Sequence, residues 1–273
     1  MDLSLQGLSQ EDRDLIRTRY GLFTFQPGSL QAAPIQVVDA EVPGFLKTVQ
    51  VAGRHPEIYR LEHRWRSDRL VAYSYEFAGW YDYQTRRGEL AVVKSSGDLL
   101  HRAVENFLRV LTAHWFLRRG GLLLHASGVV REGMAHLFFG PSGSGKTTVT
   151  MLSEGDLVLG DDLVGIRETG STYEACAVPF RGLYREPPQT GQGFPLAGVN
   201  RLVQDQRDFL EEIPPSRRAA EMMASLPFVM GGEGASRALE ITGRLANAVT
   251  IRRLHFRKSP DFWRLLAPAA SPA

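Results

Sequence analysis

The chain has 273 residues, of which 43% are hydrophobic, so it is long enough to bury the core of one large domain or two small ones. Its formal net charge of +2 is nearly balanced and gives no reason to expect a nucleic-acid partner or an anionic membrane. A single cysteine, Cys176, excludes a disulfide framework and a cysteine metal cage and fits a reducing compartment. The polar N-terminus is unlike a signal peptide and no apolar run has the length of a membrane span, so the expected location is the cytoplasm.

Residues 1–97 are predicted to form a mostly antiparallel β region that begins with a polar leader or short helix. From Gly21 to Val93, β-branched and aromatic residues mix with polar ones, as in RLVAYSYEFAGWYDYQ, and TRRGELAVV adds a turn and a strand. The aromatic residues could form a stacking platform for bases. Because no basic residues interleave with them, we interpret them as side chains along a half-buried sheet.

Residues 98–120 are predicted to form a connecting helix. Apolar residues repeat at helical spacing from Leu99 to Trp115, Asp98 stands near the start, and Gly120 follows the end. His101 and His114 fall on this helix, and we expect both at surface or boundary positions.

A β-hairpin is predicted directly after this helix, from GLLLHASGVV, the polar turn REGM and AHLFFG. If residues 131–134 make the turn, Val130 faces Ala135 and His125 lies opposite Gly140. A slip of one residue still leaves His125 within one position of Gly140. The register therefore places a titratable imidazole beside the loop that follows, although a hydrogen-bonded core histidine is the alternative. His136 has no such support and is predicted to be structural.

That loop, FFGPSGSGKTT, fills every fixed position of the pattern G-x-x-x-x-G-K-[ST]. Glycines let successive amide N–H groups turn inward toward phosphate oxygens. Lys146 would reach the outer phosphates, and the Thr147 hydroxyl would ligate Mg2+. A chance glycine-rich turn is the alternative, but the strand before the loop and the short helix after it favour a nucleotide site. The expected nucleotide-binding residues are Gly140, Pro141, Ser142, Gly143, Ser144, Gly145, Lys146, Thr147 and Thr148.

The apolar run LVLGDD, which ends in Asp161 and Asp162, follows soon after the loop. Neighbouring side chains at a strand end alternate in direction, so one carboxylate could serve a metal while the other faces a phosphoryl acceptor. A metal ligand and a base on the nucleophile are what transfer to a hydroxyl requires. The alternative is a polar turn that merely ends a strand.

The segment from Gly121 to Gly182 resembles the C-terminal kinase domain of bacterial HPr kinase/phosphorylase. It has a histidine-bearing strand, the loop, a short helix and an apolar strand ending in Asp-Asp, and "SGSGKTT" and "GDD" are also similar to the nucleotide motifs of ATP-dependent phosphoenolpyruvate carboxykinase. The resemblance implies an α/β fold in which residues 121–273 form a P-loop-containing core. It also implies ATP and Mg2+ as cofactors and transfer of the γ-phosphoryl group to a hydroxyl, foremost a serine of a peptide, protein or small molecule. Because HPr kinases assemble into oligomers, a homo-oligomer is a further expectation.

The resemblance also assigns roles to residues. Thr147 and one or both of Asp161 and Asp162 would hold Mg2+, one aspartate would take the proton of the acceptor hydroxyl, and His125 would support it. The stretch FRGL is similar to an arginine-glycine-leucine stretch of HPr kinases, which implies that Arg181 lies near the transferring phosphate. A nucleotide-binding regulatory protein, a simple NTPase and a carboxykinase-like enzyme are the alternative functions.

The remaining segment begins with residues 183–202, which are rich in glycine and proline and are predicted to be a long loop and candidate substrate lid. Arg185, Arg201 and Arg207 could contact an acidic substrate, and solvated surface charge is the plainer interpretation of each. Further on we predict helices in SRRAAEMMASLPFVM and SRALEITGRLANAV, a strand in TIRRLHFR and a short helix begun by Ser259 and Pro260.

Overall fold

Among the residues that the structure describes, strands outnumber helices and form two separate sheets. The computed structural model describes residues 1–23, 32–40, 61–93, 97–180, 182, 192–229 and 232–266. It divides into two units, Met1–Trp115 and Phe116–Ala273. The mixed α/β class predicted from the sequence is confirmed at this level.

The described part of the first unit contains a six-stranded sheet and the helices α1 and α2. The strands lie in the order β1-β2-β6-β5-β4-β3, with β1–β2 and β2–β6 parallel and the three remaining pairings antiparallel among the described strands. The elements are β1 Leu3–Gln6, α1 Gln10–Tyr20, a 3-10 turn Gly21–Phe23, β2 Ala33–Asp39, β3 Glu62–Arg66, β4 Arg69–Tyr73, β5 Phe77–Asp82, β6 Arg87–Val92 and α2 Gly97–Arg118.

Alternation of buried and exposed residues makes one face of this sheet apolar. In β5 every second residue is buried, beginning with Phe77. A Cβ on Gly79 would lie 2.7 Å from the Phe107 ring, so the absent side chain lets α2 approach β5 closely. The predicted helix is confirmed by α2, which continues to Arg118, within the second unit. The expectation for His114 is wrong, because only 2% of its surface is exposed: it packs against Trp65 and hydrogen-bonds to His63.

The second unit is built on an eight-stranded sheet. The strands lie in the order β11-β10-β7-β8-β12-β14-β13, with β9 paired to β7. Because β11 also pairs with the beginning of β12, the strands β7, β8, β12, β11 and β10 form a closed hydrogen-bonded circuit. The elements are β7 Leu122–Arg131, β8 Met134–Phe139, α3 Lys146–Met151, β9 Leu157–Gly160, β10 Leu163–Thr169, β11 Thr172–Ala177, β12 Gly193–Gln204, β13 Phe209–Glu212, α4 Pro215–Met223, α5 Gly232–Ala248, β14 Thr250–Phe256, a 3-10 turn Pro260–Phe262 and α6 Trp263–Leu266.

The hairpin of β7 and β8 is joined by a two-residue turn. Glu132 and Gly133 have φ angles of 53° and 78°, and two positive φ angles in succession are the mark of a type I′ turn, whose twist matches that of the strands. The turn fixes the register, and the predicted pairing of Val130 with Ala135 is confirmed.

The core beneath this sheet combines strand residues with the C-terminal helical turn. Five buried side chains pack together here, and each exposes at most a few per cent of its surface: Phe138 of β8, Leu254 and Phe256 of β14, and Phe262 and Trp263. The predicted C-terminal strand and the short helix after it are therefore confirmed, and both contribute to the core.

The prediction of a loop over residues 183–202 is wrong for its second half, because β12 runs through Gly193–Gln204. Gly193, Pro195 and Gly198 suggested a turn-rich loop. The strand is instead a central one, paired with β8 on one edge and β14 on the other, with its pairing to β8 shifted between Leu196 and Gly198. The first half of the predicted lid lies outside the described residues, and so does Arg185 within it. The last seven residues of the chain also lie outside them.

Candidate nucleotide-binding site

The loop from Gly140 to Gly145, hereafter the glycine loop, joins β8 to α3. Gly143 and Gly145 have φ angles of 78° and 109°, which residues with a side chain rarely adopt. A Cβ on Gly145 would also lie 2.7 Å from the Phe256 ring. The motif's last glycine is thus required by backbone conformation and by the core beneath it.

Lys146 lies across the glycine loop. Its ammonium donates to the Gly140 carbonyl at 2.9 Å and the Pro141 carbonyl at 3.2 Å, and only 8% of the residue is exposed. Burial lowers the pKa of Lys146, and the Asp162 carboxylate opposes that shift.

The helix that follows is short. Because α3 has six residues, its dipole is a minor contribution to this site. The glycine loop and Lys146 are therefore the groups on which anion binding would depend. Ser144 adds a buried hydroxyl that has no hydrogen-bond partner within the described part of the chain.

The sheet topology brings the ends of two strands to the same edge. β8 and β9 both run antiparallel to β7 and lie on its two sides. Phe139, the last residue of β8, pairs with Ala126, and Gly160, the last residue of β9, pairs with Gly128. The glycine loop and the two aspartates therefore lie on either side of the part of β7 that contains His125.

His125 contacts Asp162 at this edge, with its Nε2 atom 3.2 Å from Oδ1. The side chains are 45% and 24% exposed, so both are accessible to a substrate and neither faces the apolar interior. The backbone holds the pair from both sides. The Ala126 amide donates to the Asp162 carbonyl at 3.1 Å, and the His125 amide donates to the Ser225 carbonyl at 2.9 Å.

Asp161 has a different environment, since only 5% of it is exposed. Its Oδ1 atom accepts a hydrogen bond from the Gly182 amide at 3.0 Å. A Cβ on Gly182 would lie 2.8 Å from both carboxylate oxygens, so this contact needs a glycine. No sequence pattern indicates this hydrogen bond, because it links residues in different segments. Arg181 lies outside the described residues.

The oxygen donors near the glycine loop fit Mg2+ in type. Thr147 is half-buried in the first turn of α3, and Asp161 and Asp162 directly follow β9. Within the described ranges no three His, Cys, Asp or Glu residues are grouped to enclose a metal ion. One or two carboxylates and a hydroxyl suit a cation that keeps several waters and binds substrate phosphates, which is the habit of Mg2+.

One residue beside the glycine loop, Gln204, was not predicted as a site residue. The Gln204 amide nitrogen donates to the Gly143 carbonyl at 2.6 Å. A cavity of about 380 Å³, hereafter the β12 cavity, is lined by residues 141–144 and 201–204. Gln204 lies at the C-terminal end of β12, just beyond the predicted loop, and its partner Gly143 is distant in the chain, so no local pattern indicated the contact.

No protein-family model matches the chain, and no curated protein matches it. Among the described helices, none combines the length and the apolar character needed to cross a membrane.

Proposed function

We propose that this protein is a kinase that uses ATP and Mg2+ to transfer the γ-phosphoryl group to a hydroxyl, foremost a serine of a peptide, protein or small molecule. The observation that carries the proposal is the contact of His125 with Asp162 beside the glycine loop. A nucleotide site alone requires the loop and its lysine. An accessible imidazole–carboxylate pair at the same edge adds the groups that a hydroxyl nucleophile requires.

In this proposal the two aspartates have separate roles. Asp162 is the base, since it is partly exposed and contacts His125. It takes the proton of the acceptor hydroxyl as the hydroxyl oxygen bonds to the γ-phosphorus and the bond from that phosphorus to the β-phosphate oxygen breaks. His125 orients Asp162 through the contact of its Nε2 atom with Oδ1. Asp161 and Thr147 would hold Mg2+, which, when bound, offsets the negative charge of the phosphates.

The glycine loop and Lys146 would hold the triphosphate in place. Little covalent work remains for the protein, because phosphoryl transfer is accelerated chiefly by positioning and charge neutralisation. A nucleotide-binding regulatory protein and an NTPase would use the same loop, so the decisive difference lies in the role of Asp162.

The test compares wild type with Asp162→Asn and with Glu154→Gln as a matched control. Glu154 is exposed in the turn after α3, and its change removes one carboxylate charge away from His125. Each protein is incubated with γ-labelled ATP and a cell extract, labelled products are identified by mass spectrometry, and nucleotide binding is measured by calorimetry. We expect Asp162→Asn to bind nucleotide but to transfer label at least about 100-fold more slowly, and Glu154→Gln to behave as wild type.

Two results would overturn the proposal. Nucleotide hydrolysis at one rate with and without extract, with no labelled product, would identify an NTPase. Undiminished transfer by Asp162→Asn would remove the base from the mechanism.

A further inference from the structure

The β12 cavity lies on the opposite side of the glycine loop from the aspartates. The strand order β9-β7-β8-β12 puts Asp162 and His125 to one side of β8 and the end of β12 to the other. If the terminal phosphate of a bound nucleotide lies at Asp162, the rest of the nucleotide extends away from β9, toward β12. This step rests on the proposed function.

The volume of the β12 cavity suits part of such a ligand. At about 380 Å³ it falls in the range of about 300–1,000 Å³ that is usual for small-molecule sites. One wall is the outer half of the glycine loop, Pro141–Ser144, and the other is the end of β12, Arg201–Gln204. A nucleoside that leaves the loop on this side would meet the side chains of β12.

Gln204 presents a defined hydrogen-bonding group there. The Gly143 carbonyl can only accept, so the group that bonds to it at 2.6 Å must be the amide nitrogen of Gln204. The orientation of the amide is thereby fixed, and its other end is a carbonyl oxygen, an acceptor. An acceptor pairs with the exocyclic amine of adenine, whereas guanine presents a carbonyl oxygen at the corresponding position.

Arg201 also lines the β12 cavity, but its guanidinium contacts Glu221 of α4 at 3.0 Å. Side chains three positions apart on a strand point to opposite faces, so the Arg201 side chain is directed away from the face that carries Gln204. Gln204 is therefore the β12 side chain on which base selectivity would depend.

We propose that the β12 cavity binds the nucleoside half of the nucleotide and that Gln204 selects adenine over guanine.

The experiment measures dissociation constants of Mg2+ complexes of non-hydrolysable ATP and GTP analogues by calorimetry. Wild type is compared with Gln204→Ala, Gln204→Lys and the control Gln206→Ala, which changes an exposed glutamine two positions further on. We expect wild type and Gln206→Ala to bind the adenine analogue about tenfold or more tightly than the guanine analogue. Gln204→Ala should bring the ratio near one, and Gln204→Lys, which replaces the acceptor with donors, should favour guanine.

The ratio of the two affinities is the readout, because loss of the bond to Gly143 lowers both affinities together. A wild-type ratio near one, or a ratio unchanged in Gln204→Ala, overturns the selectivity and leaves the proposed kinase function intact. Failure to bind either analogue overturns both proposals.

Discussion

Asp161 and Asp162 are adjacent in sequence but lie in different environments. The first is almost fully buried and accepts a hydrogen bond from the Gly182 amide, whereas the second is partly exposed beside His125. The difference follows from the alternation of side chains at a strand end. Two adjacent aspartates can thereby supply two carboxylates in different environments, one buried and one accessible to a substrate.

His125 should act through Asp162, and two substitutions separate its possible contributions. Gln in place of His125 keeps a side-chain donor for the Asp162 carboxylate, whereas Phe in its place removes it. We expect His125→Phe to lower the turnover number for phosphoryl transfer by about 100-fold, with nucleotide affinity unchanged, and His125→Gln to recover a substantial part of the loss. Steady-state kinetics with an identified acceptor provides the measurement. Full turnover in His125→Phe would make the imidazole a bystander.

Local sequence was sufficient for the residues whose partners are near in the chain. The Gly140–Thr148 motif and the aspartates were predicted as site residues from their local sequence patterns. His125 was predicted to lie beside them from the register of a hairpin. Gly182 and Gln204 could not be found in this way, because each acts through one hydrogen bond to a distant segment. Their residue types carry no mark of that role.

At the scale of elements, the same distinction separates β8 from β12. The β7–β8 hairpin is closed by two residues with positive φ, so its turn and register are local properties. β12 is central, with β8 and β14 on its edges, and its glycines and proline conceal its pattern. A strand of that kind is specified by its neighbours, which a single sequence does not display.

The glycine loop should tolerate no side chain at Gly145. Alanine there would need a positive φ of 109° and would place its Cβ 2.7 Å from the Phe256 ring. We expect Gly145→Ala to destabilise the fold by about 2–4 kcal/mol and to weaken nucleotide binding. Urea unfolding and calorimetry are the measurements.

Gly155→Ala is the matched control, because Gly155 has a φ of 90° but open space around its missing side chain. Gly155→Ala should lower the free energy of unfolding by only the about 1–2 kcal/mol that a positive φ costs a residue with a side chain. It should leave nucleotide binding intact. Equal losses in the two variants would show that Phe256 does not restrict Gly145.

At the scale of the whole molecule, each unit buries a histidine near a tryptophan. In the first unit burial lowers the pKa of His114 to about 3, and its ring lies 4.9 Å from that of Trp65. In the second unit burial lowers the pKa of His136 to about 4, aided by nearby arginines, and its ring lies 5.3 Å from that of Trp263. Both side chains are therefore neutral in the folded protein at neutral pH.

This arrangement should make both units sensitive to acid. A histidine whose folded pKa is depressed stabilises the fold fully above its ordinary pKa of about 6.5, and the contribution is lost as pH falls toward the folded value. Between pH 7 and pH 5 each histidine should lower the free energy of unfolding by about 2 kcal/mol, because the unfolded chain takes up a proton that the folded chain excludes.

Leucine in place of either histidine removes the titrating group and should remove its share of the loss. The quantity to compare is the difference in unfolding free energy between pH 7 and pH 5, measured by urea titration, since each substitution also alters stability at pH 7. Each variant should show a difference about 2 kcal/mol smaller than that of the wild-type protein. If both variants retain the wild-type difference, the acid sensitivity arises from carboxylate protonation, because the buried imidazoles would then contribute nothing to it.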